Sequence, residues 1–240
     1  MRKSIVVADG FYKNPRQVRR WALRQRWYYP YDSSAGEPRG ESPFKWASTW
    51  FTPAEECPFK SSWTLIERLQ DLTGDRIDLD HWKAGFPVSE DGTPSPDCAD
   101  VEPRSCLWNC AFHVKLHPQP LGTGVHNHVT DEWNGVDRNG WAGLIYLSPD
   151  APLDGGLHLW RNVDPEHNFD WMTPPENWER IDSFGNVFNR LILVRGNVPH
   201  SGAAGWGNRL QNGRLYQTFF FKVLPSRRVF SLEWTGSGLK

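Results

Sequence analysis

The chain of 240 residues has no excess of either charge, with 27 Lys and Arg against 28 Asp and Glu. That balance removes the electrostatic grounds for a nucleic-acid or anionic-membrane partner. It also contains no apolar run near the roughly 20 residues that span a bilayer. The opening MRKSIVVADGFY starts with basic residues, but its apolar run is too short for a secretory signal and is broken by Asp9 and Gly10. A cytoplasmic location is therefore expected. Cysteine is scarce, the four being Cys57, Cys98, Cys106 and Cys110. The close pair, Cys106 and Cys110, has C-x3-C spacing, which does not suit a zinc knuckle. All four are read as reduced and structural rather than as a disulfide framework. Methionine is rarer still, at two, and no internal repeat divides the chain.

What the chain has is rings: 14 Trp and 13 Phe. They suit an interior of flat rigid side chains and equally the wall of a small-molecule pocket. At this length a single domain with elaborations is expected, 1–240. In KNPRQVRRWALRQRW, Asn14 as N-cap and Pro15 in the first turn open a helix with Val18, Trp21 and Ala22 on one face and a solvated basic face opposite. A second helix is predicted from about Ser62 to Leu72, where Leu65, Ile66, Leu69 and Leu72 recur at helical spacing before Gly74. Residues 85–104 are rich in Pro, Gly, Asp and Ser and read as a loop.

After residue 104 the period changes. In LWNCAFHVKL, Trp108, Cys110, Phe112, Val114 and Leu116 alternate with Asn109, Ala111, His113 and Lys115, as on a two-sided strand. Further strands are predicted at GVHNHV, AGLIYL, GLHLWR, NRLILVR and RLYQTFFFKVL, divided by turns such as Gly155-Gly156 and Asn212-Gly213. Successive short strands without helices between them indicate a sandwich or barrel, not a parallel α/β sheet. The expected fold is mainly β with N-terminal helices: 1–104 a helical support and loop, 105–240 a β-barrel or jelly roll.

In GTGVHNHVTDEW, His126 and His128 project to the same face of a strand, the arrangement two groups need to bind one ion. Asp131 follows on the loop. Further on, RGNVPHSG ends at a strand with His200, and the last strand carries Arg214, Tyr216 and Thr218 on one face with Leu215, Phe219 and Phe221 on the other. An arginine directed into a barrel is costly unless an anion meets it, whether a carboxylate of the protein or a ligand. Its planar guanidinium matches a carboxylate in bidentate fashion.

This arrangement resembles the Fe(II)/2-oxoglutarate-dependent dioxygenases of the double-stranded β-helix fold, a cupin-like jelly roll. WAGLIYLSPDAPLDGG, LWR, PHSG, RLYQTFFF and the opening IVVADGFYKNPRQVRRWAL are similar to the prolyl-hydroxylase-like branch, which includes uncharacterised bacterial and phage proteins. The resemblance implies His126 and His200 as metal ligands and Arg214 as the anchor of the 2-oxoglutarate C5 carboxylate, with Thr218 or Tyr216 as its hydroxyl companion. It also implies Fe(II), 2-oxoglutarate and O2 as cofactors, hydroxylation as the outcome, and a small-molecule or amino-acid or peptide-type substrate. Oligomeric state is left open.

The sequence departs from the family pattern two residues after His126, where His128 stands in place of Asp or Glu. Three explanations compete: a three-histidine metal face of His126, His128 and His200; a carboxylate supplied by Asp131, or less readily Glu132; or a vacant position as in related halogenases, against which a bulky imidazole argues. Beginning the motif at His128 would put Thr130 at the carboxylate position. A three-histidine cupin-type dioxygenase without 2-oxoglutarate, and a metal-free binding module, are the other classes. Asn109 and His113 are candidates for substrate or cosubstrate contact or for a structural role. His158 and His167 are expected to be ordinary histidines, and Trp141, Trp160 and Trp206 are expected to pack more readily than to line a pocket.

Overall fold

A computed structural model describes residues 3–25, 27, 46–49, 57–83, 108–116, 124–129, 135–163 and 177–225. Helix α1 runs Pro15–Ala22, with Pro15 at its first position, where a missing N–H costs nothing. Asn14 caps it through its backbone carbonyl, which accepts from Gln17 and Val18; the side chain makes no cap bond. Helix α2, Trp63–Thr73, begins at Ser62, whose side chain accepts from the Leu65 N–H, and stops at Gly74, whose φ of 77° places it in the left-handed region. Its Leu65, Ile66 and Leu69 are buried. A short helix α3, Leu79–Lys83, follows.

Nine strands are described: β1 Ile5–Ala8, β2 Trp46–Ser48, β3 Phe112–Lys115, β4 Trp141–Tyr146, β5 Leu157–Asn162, β6 Trp178–Phe184, β7 Leu191–Arg195, β8 His200–Gly202 and β9 Arg214–Phe221. They form a six-stranded sheet in the order β1-β7-β4-β9-β3-β2 and a three-stranded sheet β6-β5-β8. Every pairing is antiparallel. The helices cover one face of the larger sheet, where Leu65, Ile66, Leu69 and Trp82 share a core with Phe112, Trp141, Leu193, Leu215, Phe219 and Phe221. Its other face meets the smaller sheet: Leu157 and Leu159 of β5 pack with Leu144, Tyr146, Ile192, Val194 and Tyr216. The barrel interior lies between the two sheets.

Four expectations change. The segment 1–104 is not only helical, because β1 and β2 extend the larger sheet; the β-branched Ile5-Val6-Val7 run pairs with β7. GVHNHV is not an extended strand but an isolated bridge segment in which His126 pairs with His200, because the Asn127 side chain accepts from the Val129 N–H and turns the chain. LWNCAFHVKL is a strand only from Phe112, since Cys110 sits at a φ of 65° that a strand cannot use. Strand β6 has no counterpart among the expected strands. Residues 179–183 are exposed, so no buried face marks them in the sequence. Cys57 and Cys110 are buried thiols. Residues 85–104, expected to be a loop, lie outside the described residues, and no helix among the described residues is long and apolar enough to cross a membrane.

Candidate metal and anion site

Strand β8 and the segment before it build the first half of the site. The His126 N–H donates to the His200 carbonyl at 3.0 Å and the His200 N–H to the His126 carbonyl at 2.9 Å, locking the two residues opposite each other. His128 is fixed by its own N–H, which donates to the Gly196 carbonyl at 2.7 Å, while its carbonyl accepts from Val136. The three rings converge. Centroids lie 4.5 Å apart for His126 and His200, and 5.1 Å for His128 with either partner. One ring nitrogen from each falls within 4.8 Å of the others, and all three side chains are buried.

Two of the rings have their orientation fixed from behind. His126 Nδ1 lies 2.9 Å from the Gly124 carbonyl and His200 Nδ1 2.9 Å from the Val198 carbonyl. A carbonyl only accepts, so each Nδ1 carries the proton and each Nε2 the lone pair, the tautomer a metal needs. Burial, then the neighbouring His128, holds His200 down to about 3. Burial, with His200 and His128, pushes His126 well below the ordinary histidine value. Both rings are thus neutral ligands at physiological pH. Buried neutral imidazoles converging within a few ångströms fit Fe(II) or another divalent first-row ion. Among the described residues no carboxylate joins the group; Asp131, Glu132 and Thr130 lie outside them.

Strand β9 supplies the second half. Its even residues face the interior, and Phe220 sets its ring 4.9 Å from that of His128. Arg214, on the same face, is 1% exposed. Its Nε donates to the Gly155 carbonyl and its Nη2 to the Gly156 carbonyl, each at 2.9 Å. Those bonds use two of five N–H donors, leaving Nη1 and the second Nη2 proton as a fork for a carboxylate. Among the described residues no acid pairs with it. The guanidinium lies 4.9 Å from the Tyr216 ring and 5.7 Å from that of Tyr146.

Tyr146 was not legible as a site residue. It is fully buried, and among the described residues its hydroxyl makes no well-formed hydrogen bond, the Arg214 side chain being the polar group that acts on it. Burial pushes its phenol up to about 12, against the pull of Arg214 beside it. A buried hydroxyl beside a guanidinium retains a proton it can donate. Tyr146 is thus set beside the Arg214 guanidinium, whereas the Thr218 hydroxyl is engaged elsewhere. Thr218 Oγ1 donates to the Trp108 carbonyl at 2.7 Å and is met by His113 Nε2 at 2.9 Å. Tyr216 offers its ring, stacked on His113 at 5.3 Å.

The remaining candidates have partners within the fold. Asn109 bridges the Trp82 carbonyl and the Phe220 N–H. His158, on β5, binds Ser183 and stands outside the triad. Trp141 lies in the helix-side core, and Trp160 Nε1 donates to Ser201. His167 lies outside the described residues.

Strand β5 links the two halves and sets their spacing. Gly156, just before it, holds Arg214, and Leu159, three residues on, pairs with His200. At about 3.3 Å per residue, some 10 Å of strand lies between the residue that holds the guanidinium and the one that pairs with His200.

No protein-family model matches the sequence, and no curated protein matches it. Among solved structures, the chain is similar over 100% of its length, and 86% of the other's, to the non-heme alpha ketoglutarate dependent epimerase SnoN from nogalamycin biosynthesis, with TM-score 0.51 and 12% identity. A 2OG-Fe(II) oxygenase family oxidoreductase from Burkholderia pseudomallei covers 91% of this chain over 84% of its own, with TM-score 0.49 and 10% identity. A prolyl hydroxylase from Trichoplax adhaerens, in complex with a hypoxia inducible factor peptide fragment, covers 91% over 83% of its own, with TM-score 0.46 and 16% identity. The likeness to SnoN, together with the two facing antiparallel sheets, establishes the fold as the double-stranded β-helix jelly roll.

Proposed function

We propose that the protein is an Fe(II)- and 2-oxoglutarate-dependent oxygenase of the prolyl-hydroxylase-like branch, a single domain over 1–240, that hydroxylates an unactivated C–H bond of a small molecule or an amino-acid or peptide-type substrate. The observation carrying this reading is the pairing, across about 10 Å of strand, of a buried three-imidazole cluster with a buried arginine fork that no described acid satisfies. That span fits 2-oxoglutarate: roughly 5 Å between its end carbons, with a metal–oxygen bond of about 2 Å at one end and a hydrogen bond of about 3 Å at the other. A three-histidine dioxygenase that dispenses with 2-oxoglutarate leaves the Arg214 fork and the Tyr146 hydroxyl without a task.

In this reading His126, His128 and His200 hold the iron, and Arg214 with Tyr146 binds the far carboxylate of the cosubstrate. Bound Fe(II) and 2-oxoglutarate supply the oxidising power, O2 being reduced as the keto acid loses CO2 to become succinate and the substrate gains a hydroxyl. The chain's part is to position and to keep water out. The Gly124 and Val198 carbonyls orient two imidazoles, Gly155 and Gly156 aim the guanidinium, and Leu157, Leu159 and Phe220 line an apolar interior. Specificity would reside in the stretch 85–104, whose Pro, Gly, Asp and Ser content reads as a loop in the sequence.

Protein purified without chelator or polyhistidine tag should carry or take up Fe(II) and consume O2 only when 2-oxoglutarate is present. His126→Ala, His128→Ala and His200→Ala should each lose most of the bound iron, and Asp131→Ala should keep it. Consumption of O2 without 2-oxoglutarate would move the protein to the three-histidine class. If Asp131→Ala empties the site and His128→Ala leaves it filled, the third ligand is the carboxylate.

A further inference from the structure

The two carbonyls that aim Arg214 belong to Gly155-Gly156, the dipeptide with the widest choice of backbone angles. Close approach calls for glycine at both positions. A Cβ at Gly155 would meet the Trp206 ring at 2.4 Å, and one at Gly156 would meet the Phe184 carbonyl oxygen at 1.7 Å. The freedom that comes with glycine is then taken away by hydrogen bonds. The Gly156 carbonyl is held by backbone, accepting from the Ala203 N–H at 2.9 Å as well as from Arg214. The Gly155 carbonyl is held by a side chain. Asn186, buried on the turn between β6 and β7, donates to it from Nδ2 at 3.0 Å, beside the Arg214 Nε at 2.9 Å. The Asn186 N–H donates in turn to the Leu153 carbonyl at 3.0 Å, so one residue grips the 152–156 turn twice. A carbonyl oxygen has two lone pairs, and two donors on each of these oxygens fix its direction. The other half of the Asn186 amide, Oδ1, is buried with no hydrogen-bond partner among the described residues. The amide therefore stands there at a cost to stability, and the part of it in use is the N–H that meets Gly155.

We propose that Asn186 is a positioning residue for the cosubstrate anchor: its side-chain amide fixes the Gly155 carbonyl and, through it, the direction of the Arg214 guanidinium. The proposal rests on the 2-oxoglutarate reading of the site. Without the amide the peptide plane between the two glycines is free to turn, and Arg214 keeps one aiming bond of fixed direction in place of two. The imidazoles take their own bonds from the Gly124, Gly196 and Val198 carbonyls, so the loss falls on the far carboxylate of the cosubstrate and not on the metal.

The test is calorimetric titration of the Mn(II)-loaded full chain with 2-oxoglutarate and, separately, with oxalate, which can chelate a metal but has no far carboxylate. Asn186→Leu keeps the γ-branched shape and removes the amide. It should bind 2-oxoglutarate about fivefold more weakly or worse, with oxalate and Mn(II) affinities within about twofold of the wild type. Added to Arg214→Met, the same substitution should cost nothing further, because the residue it acts through is gone. Should the leucine variant not fold, Asn186→Ser is measured against the same criteria. Equal binding of 2-oxoglutarate by variant and wild type overturns the role of Asn186 and leaves the oxygenase reading standing. A loss shared by oxalate, or one that persists in full beside Arg214→Met, assigns Asn186 to general packing and also overturns it. A wild type that binds oxalate but not 2-oxoglutarate overturns the oxygenase reading and this proposal with it.

Discussion

Tyr146→Phe should raise the stability of the ligand-free protein and lower its affinity for 2-oxoglutarate, two changes of opposite sign from one oxygen atom. The ring stays where it is, packed with Leu144, Leu157, Ile192 and Tyr216. What is removed is a fully buried hydroxyl that, among the described residues, makes no well-formed hydrogen bond and has only the Arg214 side chain acting on it. An unsatisfied buried polar group costs about 1–3 kcal/mol, so its deletion should return a good part of that. At about 2–4 °C per kcal/mol for a domain of this size, the melting temperature should rise by a few degrees, on the order of 2–8 °C. In the complex the same hydroxyl donates to a carboxylate, a charge-assisted bond of about 1.5–3 kcal/mol, so affinity should fall at least tenfold. Thermal melts of the metal-free protein, and of the Mn(II)-loaded protein across a 2-oxoglutarate series, read both quantities. A phenylalanine variant that melts lower than the parent, or that binds 2-oxoglutarate equally well, refutes the reasoning.

Two further outcomes concern the scaffold. Asp75→Asn should cost about 3 kcal/mol in a urea melt, because the Arg195 guanidinium, 2.7 Å from the Asp75 carboxylate and 4.0 Å from the Trp141 ring, would be left buried without its counter-charge. Stability should also fall with acid. Burial holds His81 to about 4 and His113 to about 3, below the unfolded value of about 6.5, so protons bind the unfolded chain first. The contribution is complete above about pH 6.5 and is lost as the pH falls toward those folded values, on the order of 2 kcal/mol per group by pH 5. Denaturation midpoints of the metal-free protein at pH 7.5 and pH 5 check this, and equal midpoints would refute it.

The parts of the fold legible in the sequence are those whose signal is local. Ser62 and Gly74 mark the ends of α2 because a side-chain acceptor and a left-handed backbone are properties of single residues. The alternation of Leu215, Phe219 and Phe221 against Arg214, Tyr216 and Thr218 survives because β9 is paired on both sides, between β4 and β3. Tyr146 escaped notice for the opposite reason. In AGLIYL it reads as one more apolar strand residue, and it joins the site only because β4 lies beside β9 and sets Tyr146 opposite Tyr216, some 70 positions later in the chain. Gly155-Gly156 is legible as a turn, but the use of its carbonyls to aim Arg214 is not.

A site of this composition works against the stability of its own barrel. Its interior face bears a buried hydroxyl without a well-formed hydrogen bond, a guanidinium bonded to two carbonyls, a buried lysine opposite it and three imidazoles with ring centroids about 5 Å apart. The compensation comes from the opposite face of the same sheet. Trp82 stacks on Phe219 at 6.3 Å and meets Phe221 edge-on at 5.8 Å, while Phe112 packs with Phe59 and Trp21. Fully burying such a ring contributes roughly 1.5–3 kcal/mol, comparable with the penalty of one unsatisfied polar group on the other side. Strand β9 carries both accounts in one segment, its odd residues 215, 219 and 221 in the core and its even residues 214, 216, 218 and 220 toward the site. A slip of one residue in its pairing would send Arg214 into the aromatic core and the phenylalanines into the site, so the burial that stabilises the fold is also what fixes the register of the anion anchor.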